Sequence, residues 1–202
     1  MPRPKTHDDA LRVRLLHRAG ELLSTEGPGA LSLRRLAGDV NTSTTAVYSL
    51  FGGKSALLNA LYDEAFRRFG ERVAAVPETD DPVEDIVRMG LAYRDSALAD
   101  PQFYLVMFSK VVPNFEPAPE SREAANRTFL PLVRNVGRAV RAGLFAEVPH
   151  EDVALALWGL AHGLVSLEIN GNLPPTMEVA PVYERAIRSQ VDGWRRREGP
   201  RG

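Results

Sequence analysis

Apolar residues recur three and four positions apart along most of the chain, and no stretch shows convincing strict alternation. That period is helical, so the chain is predicted to be all-α. A first helix is expected from Asp8 or Asp9 to about Thr25, with Leu11, Leu15, Leu16, Ala19, Leu22 and Leu23 as its buried stripe and Gly27-Pro28-Gly29 as its stop. Two short helices follow. Ser32 is placed to cap the first, whose apolar positions are Leu33, Leu36, Ala37 and Val40. Asn41 stands where the chain must turn, and Asn tolerates positive φ better than most residues. Ser43 is placed to cap the second, with Ala46, Val47, Leu50 and Phe51 on its buried side and Gly52-Gly53 after it.

A longer helix, from Lys54 to about Val76, leads to a polar loop ending at Pro82. Five more helices are expected: Pro82 to Ala99, Pro101 to about Val112 with Asp100 as N-cap, about Pro119 to Ala142, about His150 to Ile169, and about Pro181 to Arg196. The organisation is then a three-helix head, residues 1–54, joined by a long helix to a helical body, residues 55–202, with about nine helices in all. The helix from His150 is apolar on nearly every side (Val153 to Leu167), so nearly every side must be covered. One side can face the body and the other a second copy, with Gly159 and Gly163 allowing close approach. With Val182, Ala186, Ile187, Val191 and Trp194 of the last helix, this predicts a four-helix interface across a two-fold axis; the other use of these residues is to complete a monomer core. The Val153–Leu167 run, interrupted by Gly159, His162, Gly163 and Ser166, falls short of the ~20 residues that span a bilayer, so no membrane is expected as a partner.

Composition removes several chemistries. The 202 residues include no Cys, which excludes disulfides and thiolates and suits a reducing cytoplasm. The start, MPRPKTHDD, lacks the apolar segment of a secretory leader. His7, His17, His150 and His162 form no HExxH pair, and no Gly-rich phosphate loop or GxSxG is present. No catalytic set, metal site or cofactor is expected. The net charge is −1, but residues 1–54 hold eight cations against five anions, a basic first quarter on an acidic remainder. Arg3 and Lys5, spaced by prolines, are either a basic arm or a solvated tail.

Helix, tight turn, helix is the geometry that lays a second helix in the DNA major groove. The outward residues of that second helix are Thr44, Thr45, Tyr48 and Ser49. Hydroxyls bond phosphates or base edges, a Thr methyl packs on a thymine methyl, and no carboxylate is present to be repelled. The run from Thr42 to Lys54 resembles the DNA-reading segment of the tetracycline-repressor-like (TetR) transcriptional regulators, V-S-x-x-x-[LV]-Y-x-x-F-x-x-K-x-x-L-L. It matches at Ser43, Val47, Tyr48, Phe51, Lys54, Leu57 and Leu58. It departs at Asn41, where Gly is usual, at Thr42, where Val is usual, and at Gly52-Gly53, where Pro-Ser or similar is common. The resemblance implies that Thr44, Thr45, Tyr48 and Ser49 face DNA and that Lys54 meets a phosphate. Ser32, Arg34 and Ser43 complete the candidate DNA-binding set. The segment Leu157-Trp158-Gly159-Leu160-Ala161-His162-Gly163-Leu164 resembles the Trp-His-Gly body of one TetR branch.

These readings converge on a dimeric, ligand-responsive repressor in the cytoplasm. Two heads on a two-fold axis read an inverted-repeat operator in double-stranded DNA. A small, largely apolar effector would enter the body and shift the long helix. Its candidate lining is Phe103, Tyr104, Met107, Phe108, Phe129, Trp158 and His162, although aromatics at helical spacing also serve as ordinary core. The alternative is a helical small-molecule-binding or adaptor dimer without DNA binding.

Overall fold

The computed structural model describes residues 5–109 and 112–196. Arg3 lies outside them, and Lys5, expected in a tail, begins the first helix. Ten helices occur among the described residues: α1 (Lys5–Glu26), α2 (Leu33–Asp39), α3 (Thr44–Phe51), α4 (Lys54–Ala74), α5 (Pro82–Ala99), α6 (Pro101–Phe108), α7 (Pro119–Arg127), α8 (Leu130–Arg141), α9 (His150–Ile169) and α10 (Val179–Gly193). The one β feature described is an isolated bridge between Phe145 and Arg195.

The extra helix comes from a break at Thr128-Phe129, where the sequence pattern predicts continuity from Pro119 to Ala142. Pro131 has no N–H to give the Arg127 carbonyl, and its ring crowds that carbonyl. The first segment stops at Arg127 and α8 restarts with Pro131 in its first turn. Two other expectations shift. Ser109 is extended (φ −106°, ψ 141°), ending α6 before Val112. Asp100 holds the N-cap position but makes no side-chain cap bond; its carboxylate lies 3.7 Å from the Arg68 guanidinium.

The chain forms two compact units. The first comprises residues 1–68 and 100–126, so α6 and α7 join the head helices. The predicted α1 stripe is buried with Leu31, Leu36, Val47, Leu57, Leu61 and Phe103. Phe103 meets His17 edge-on at 6.1 Å, and the Arg68 guanidinium lies over the Phe103 ring, 4.7 Å from its centroid. Asn59 on α4 fixes the start of α7: its carbonyl accepts from the Ala118 amide (2.8 Å), and its amide donates to Ser121 Oγ (2.9 Å).

The second unit comprises residues 69–99 and 127–202. Here α5 packs on α8, α9 and α10, and α9 packs on α8 and α10. Gly90 brings α10 close: a Cβ there would sit 3.0 Å from Ile187 Cγ2. Its carbonyl accepts from the Tyr183 hydroxyl at 2.7 Å. At 20 residues and mean hydropathy 1.4, α9 is long and apolar enough to cross a membrane, which exceeds the expectation from the apolar run. Its buried Val153, Ala154, Leu157, Ala161 and Val165 make it a core helix of this unit.

Asp85, with its side chain 1% exposed, ties the loop before α5 to α8. It accepts from the Thr79 amide and hydroxyl, both at 2.8 Å, and from Arg138 at 3.0 Å. Burial alone would push its pKa up, but these three donors outweigh burial and hold the carboxyl below its ordinary value. Unfolded Asp titrates near ~3.9. The stabilisation is therefore complete above about pH 4 and is lost as the pH falls through the lower folded value. Thermal unfolding followed from pH 7 to pH 3 should show this acid limb flattened in Asp85→Asn. Asp85→Ala, which takes the acceptor from the Thr79 amide and hydroxyl while Arg138 keeps Asn135 and the Thr79 carbonyl, should cost about 2 kcal/mol at neutral pH.

Candidate nucleic-acid interface

The direction of α3 is set by three capping events within twelve residues. Ser32 Oγ accepts from the Arg35 amide (3.2 Å) and starts α2. Asn41, at φ 55°, ends it. The Thr42 amide donates back to the Ala37 carbonyl (2.9 Å) and the Asn41 amide to that of Gly38 (3.1 Å), the paired bonds of a Schellman turn. Ser43 Oγ then accepts from the Ala46 amide (3.1 Å) and starts α3. Gly52, at φ 79°, closes α3, its amide donating to the Tyr48 carbonyl at 2.7 Å.

Val47 and Phe51 are buried, which leaves Thr45, Tyr48 and Ser49 exposed and Thr44 half-buried. Tyr48 is 53% exposed, an unusual position for a large aromatic ring in a monomer. No acid lies in the first turn of α3 or α4. Arg34 is exposed and makes no ion pair among the described residues. Lys54 is exposed and reaches the Pro28 carbonyl at 3.4 Å, so its ammonium bridges the turn after α1 and the start of α4. Capping occupies one lone pair each of Ser32 and Ser43; their protons still point to an acceptor of choice.

Sequence reasoning missed how the remaining cations are used. Arg18 donates to Asp39 (2.8 Å) and Glu21 (3.0 Å). Arg35 holds Glu26 through two bonds (2.9 and 2.7 Å) and lies 3.8 Å from Asp39. Arg12 lies 5.5 Å from the Phe51 ring centroid. The Arg18–Glu21 and Arg35–Asp39 spacings are helical and visible in the sequence; the Arg18–Asp39 contact, 21 residues apart, is not.

The predicted effector-lining residues fall into two groups. Phe103, Tyr104, Met107 and Phe108 belong to the first unit, where Phe103 and Tyr104 are buried and Tyr104, Phe108 and Phe66 form an aromatic run at 5.1 and 5.8 Å. Phe129, Trp158 and His162 belong to the second, at successive centroid spacings of 5.7 and 6.0 Å. There the Tyr93 hydroxyl, which sequence reasoning passed over, lies 3.1 Å from His162 Nδ1. Burial pushes the His162 pKa below its ordinary value, so the ring is neutral at pH 7. Among the described residues no group of three or more His, Cys, Asp or Glu is placed to hold a metal ion.

A capped hairpin presenting an acid-free helix face is the arrangement by which a helix–turn–helix head enters the major groove. The chain matches the model of bacterial regulatory proteins of the tetR family over residues 15–61 and that of the tetracyclin repressor-like C-terminal domain over residues 86–190. It is similar to a solved protein of unknown function from Rhodococcus sp. RHA1, at 28% identity over 92% of this chain and 96% of that one, with a TM-score of 0.78. It shares its fold with the TetR family transcriptional regulator PfmR from Thermus thermophilus (22% identity, 89% and 95% covered, TM-score 0.71). The fold is also that of a TetR-family transcriptional regulator from Haemophilus influenzae RD (21% identity, 93% and 98% covered, TM-score 0.72). No curated protein matches the chain. The chain belongs to the TetR family of transcription regulators, with a DNA-binding head and a ligand-binding body. The Trp-His-Gly resemblance of the body is loosely consistent with its C-terminal match.

The turn makes a stability prediction. Asn41→Gly should leave stability unchanged or slightly raised, because Gly adopts positive φ without strain, whereas Asn41→Val should cost on the order of 1–2 kcal/mol. Urea midpoints followed by helical circular dichroism would rank the three.

Proposed function

We propose that this protein is a homodimeric cytoplasmic repressor, released from an inverted-repeat operator by a small, largely apolar effector. The observation that carries the reading is the exposed α3 face of Thr45, Tyr48 and Ser49, held by caps at both ends. Tyr48 and Thr45 read base edges; Arg34, Lys54, Ser49 and the Ser32 and Ser43 hydroxyls meet phosphates, with Thr44 packed at their margin. The neutral His162 beside Trp158, Phe129 and Tyr93 supports an uncharged effector with one polar group.

Dimerisation is supported by the outer side of α9. Leu155 is 56% and Leu167 41% exposed, Gly159 and Gly163 are exposed between them, and a Cβ at either glycine would meet nothing. The last helix, α10, packs on α9, and its Val182 and Ala186 are half-buried. A helix this apolar is stable in water when the open side is covered, and a second copy covers it symmetrically.

The adaptor reading has one observation in its favour, the internal pairing of Arg18 and Arg35, which withholds two cations from phosphate. Selection of bound duplexes from a random pool separates the two. The repressor reading predicts a recovered inverted repeat that Tyr48→Ala loses, whereas Lys54→Ala weakens all duplexes alike, with a shallower salt dependence. If Lys54→Ala changed base preference and Tyr48→Ala did not, the roles would be misassigned, and no enrichment at all would favour the adaptor. For the dimer, Leu155→Glu should give a folded monomer in analytical ultracentrifugation, with operator binding reduced at least tenfold. A folded variant that remained dimeric would move the interface elsewhere.

A further inference from the structure

The candidates outside the reading face are the α9 surface already assigned to dimerisation, the aromatic run around Phe108, the Asp85 knot and the ion cluster joining α1 to α2. The last bears directly on recognition. Asp39 is the final residue of α2, four positions before the N-cap of α3. Its Oδ2 is approached by Arg18 at 2.8 Å and by Arg35 at 3.8 Å. Glu21 accepts a second bond from Arg18, Glu26 accepts two from Arg35, and His17 Nδ1 lies 3.1 Å from Glu21. Two arginines are thus met by three carboxylates, on a head whose role is to approach a polyanion. All five side chains are between 28% and 43% exposed, so the cluster is solvated and its arginines are free to swing when released.

A solvated cluster of this kind adds little to stability. Its effect on DNA binding is larger, because attraction to phosphate is sequence-independent and acts across a Debye length of about 8–10 Å. Arginines released here would strengthen binding to every duplex alike. Specificity is a difference of affinities, so raising the background lowers it. The reading residues are hydroxyls and one phenol, which offer modest base discrimination, so such a head tolerates little background.

We infer that Asp39, with Glu26 behind it, is a specificity-determining group that keeps Arg18 and Arg35 from phosphate. This rests on the proposed DNA binding. Asp39 is a positioning residue in this role; it touches no base.

The test uses the full-length chain, the operator recovered by selection and an unrelated duplex of equal length, with dissociation constants measured from about 50 to 300 mM salt. Asp39→Asn and the double variant Asp39→Asn/Glu26→Gln are compared with wild type, with circular dichroism confirming the folded head. The unrelated duplex should bind about threefold tighter to the single variant and about tenfold tighter to the double one. The salt slope should steepen by about one for each arginine released to phosphate. Operator affinity should gain less, so the specificity ratio falls. Adding Arg35→Gln to the double variant should return the slope towards wild type, whereas Arg185→Gln, which removes the same charge from the exposed side of α10 in the second unit, should not, so a general change in net charge is separated from release of Arg35. Unchanged slope and unchanged background affinity in both variants, or a gain that Arg35→Gln fails to reverse, overturns the inference while leaving the operator reading intact. A wild-type chain that binds neither duplex overturns both.

Discussion

Everything this molecule can do at a DNA surface depends on a left-handed residue at position 41. An eight-residue helix has little intrinsic stability, so α3 owes its place to what surrounds it. Asn41 reverses the chain, the Ala37 and Gly38 carbonyls accept the returning amides, and Ser43 takes up the next helix within two residues. Val47 and Phe51 then anchor α3 on the first unit's core with Leu36 and Leu57. Because the turn is short and its backbone groups are satisfied, Thr45, Tyr48 and Ser49 are presented on a fixed face. Cost is concentrated at one φ angle, and the proposed recognition is spread over one helix turn.

That economy explains why the head was legible in the chain and the body less so. Capping is local chemistry: Ser32, Asn41, Ser43 and Gly52 each act through neighbours within five residues, and a sequence carries such relations directly. Helix periodicity is local in the same way, so α5 and α9 lie where the pattern places them. The expectations that moved depended on details of one residue or on distant partners. The break before α8 turns on one missing N–H at Pro131, inside an otherwise continuous apolar pattern. Asp100 has the right residue type for a cap but faces Arg68, 32 positions away in sequence. The grouping of α6 and α7 with the head follows from Phe103 in its core and from the bonds of Asn59, neither of which has a sequence signature.

Charge shows the same division more sharply. Counting cations in the first quarter identifies a basic end, but it cannot tell a guanidinium facing solvent from one facing a carboxylate. Arg34 and Arg35 are adjacent in the chain and opposite in use: one is exposed without an ion pair among the described residues, the other is held by Glu26. A helix separates neighbours by about 100°, so adjacent residues meet different surroundings. Electrostatic footprints read from sequence are therefore upper bounds. In the body the candidate effector residues were found by type, while the polar contact that orients His162, the Tyr93 hydroxyl, comes from another helix.

The central claim is that two copies of this head, tied by one axis, read one operator. The most direct test is to measure binding to a duplex carrying the full inverted repeat and to one in which a single half is scrambled, with stoichiometry determined for each. The account predicts an even number of chains on the full repeat and at least a hundredfold weaker binding to the half, since the second head then supplies only sequence-independent contacts. Equal affinity for the two duplexes, or a single chain bound to the full repeat, would contradict it.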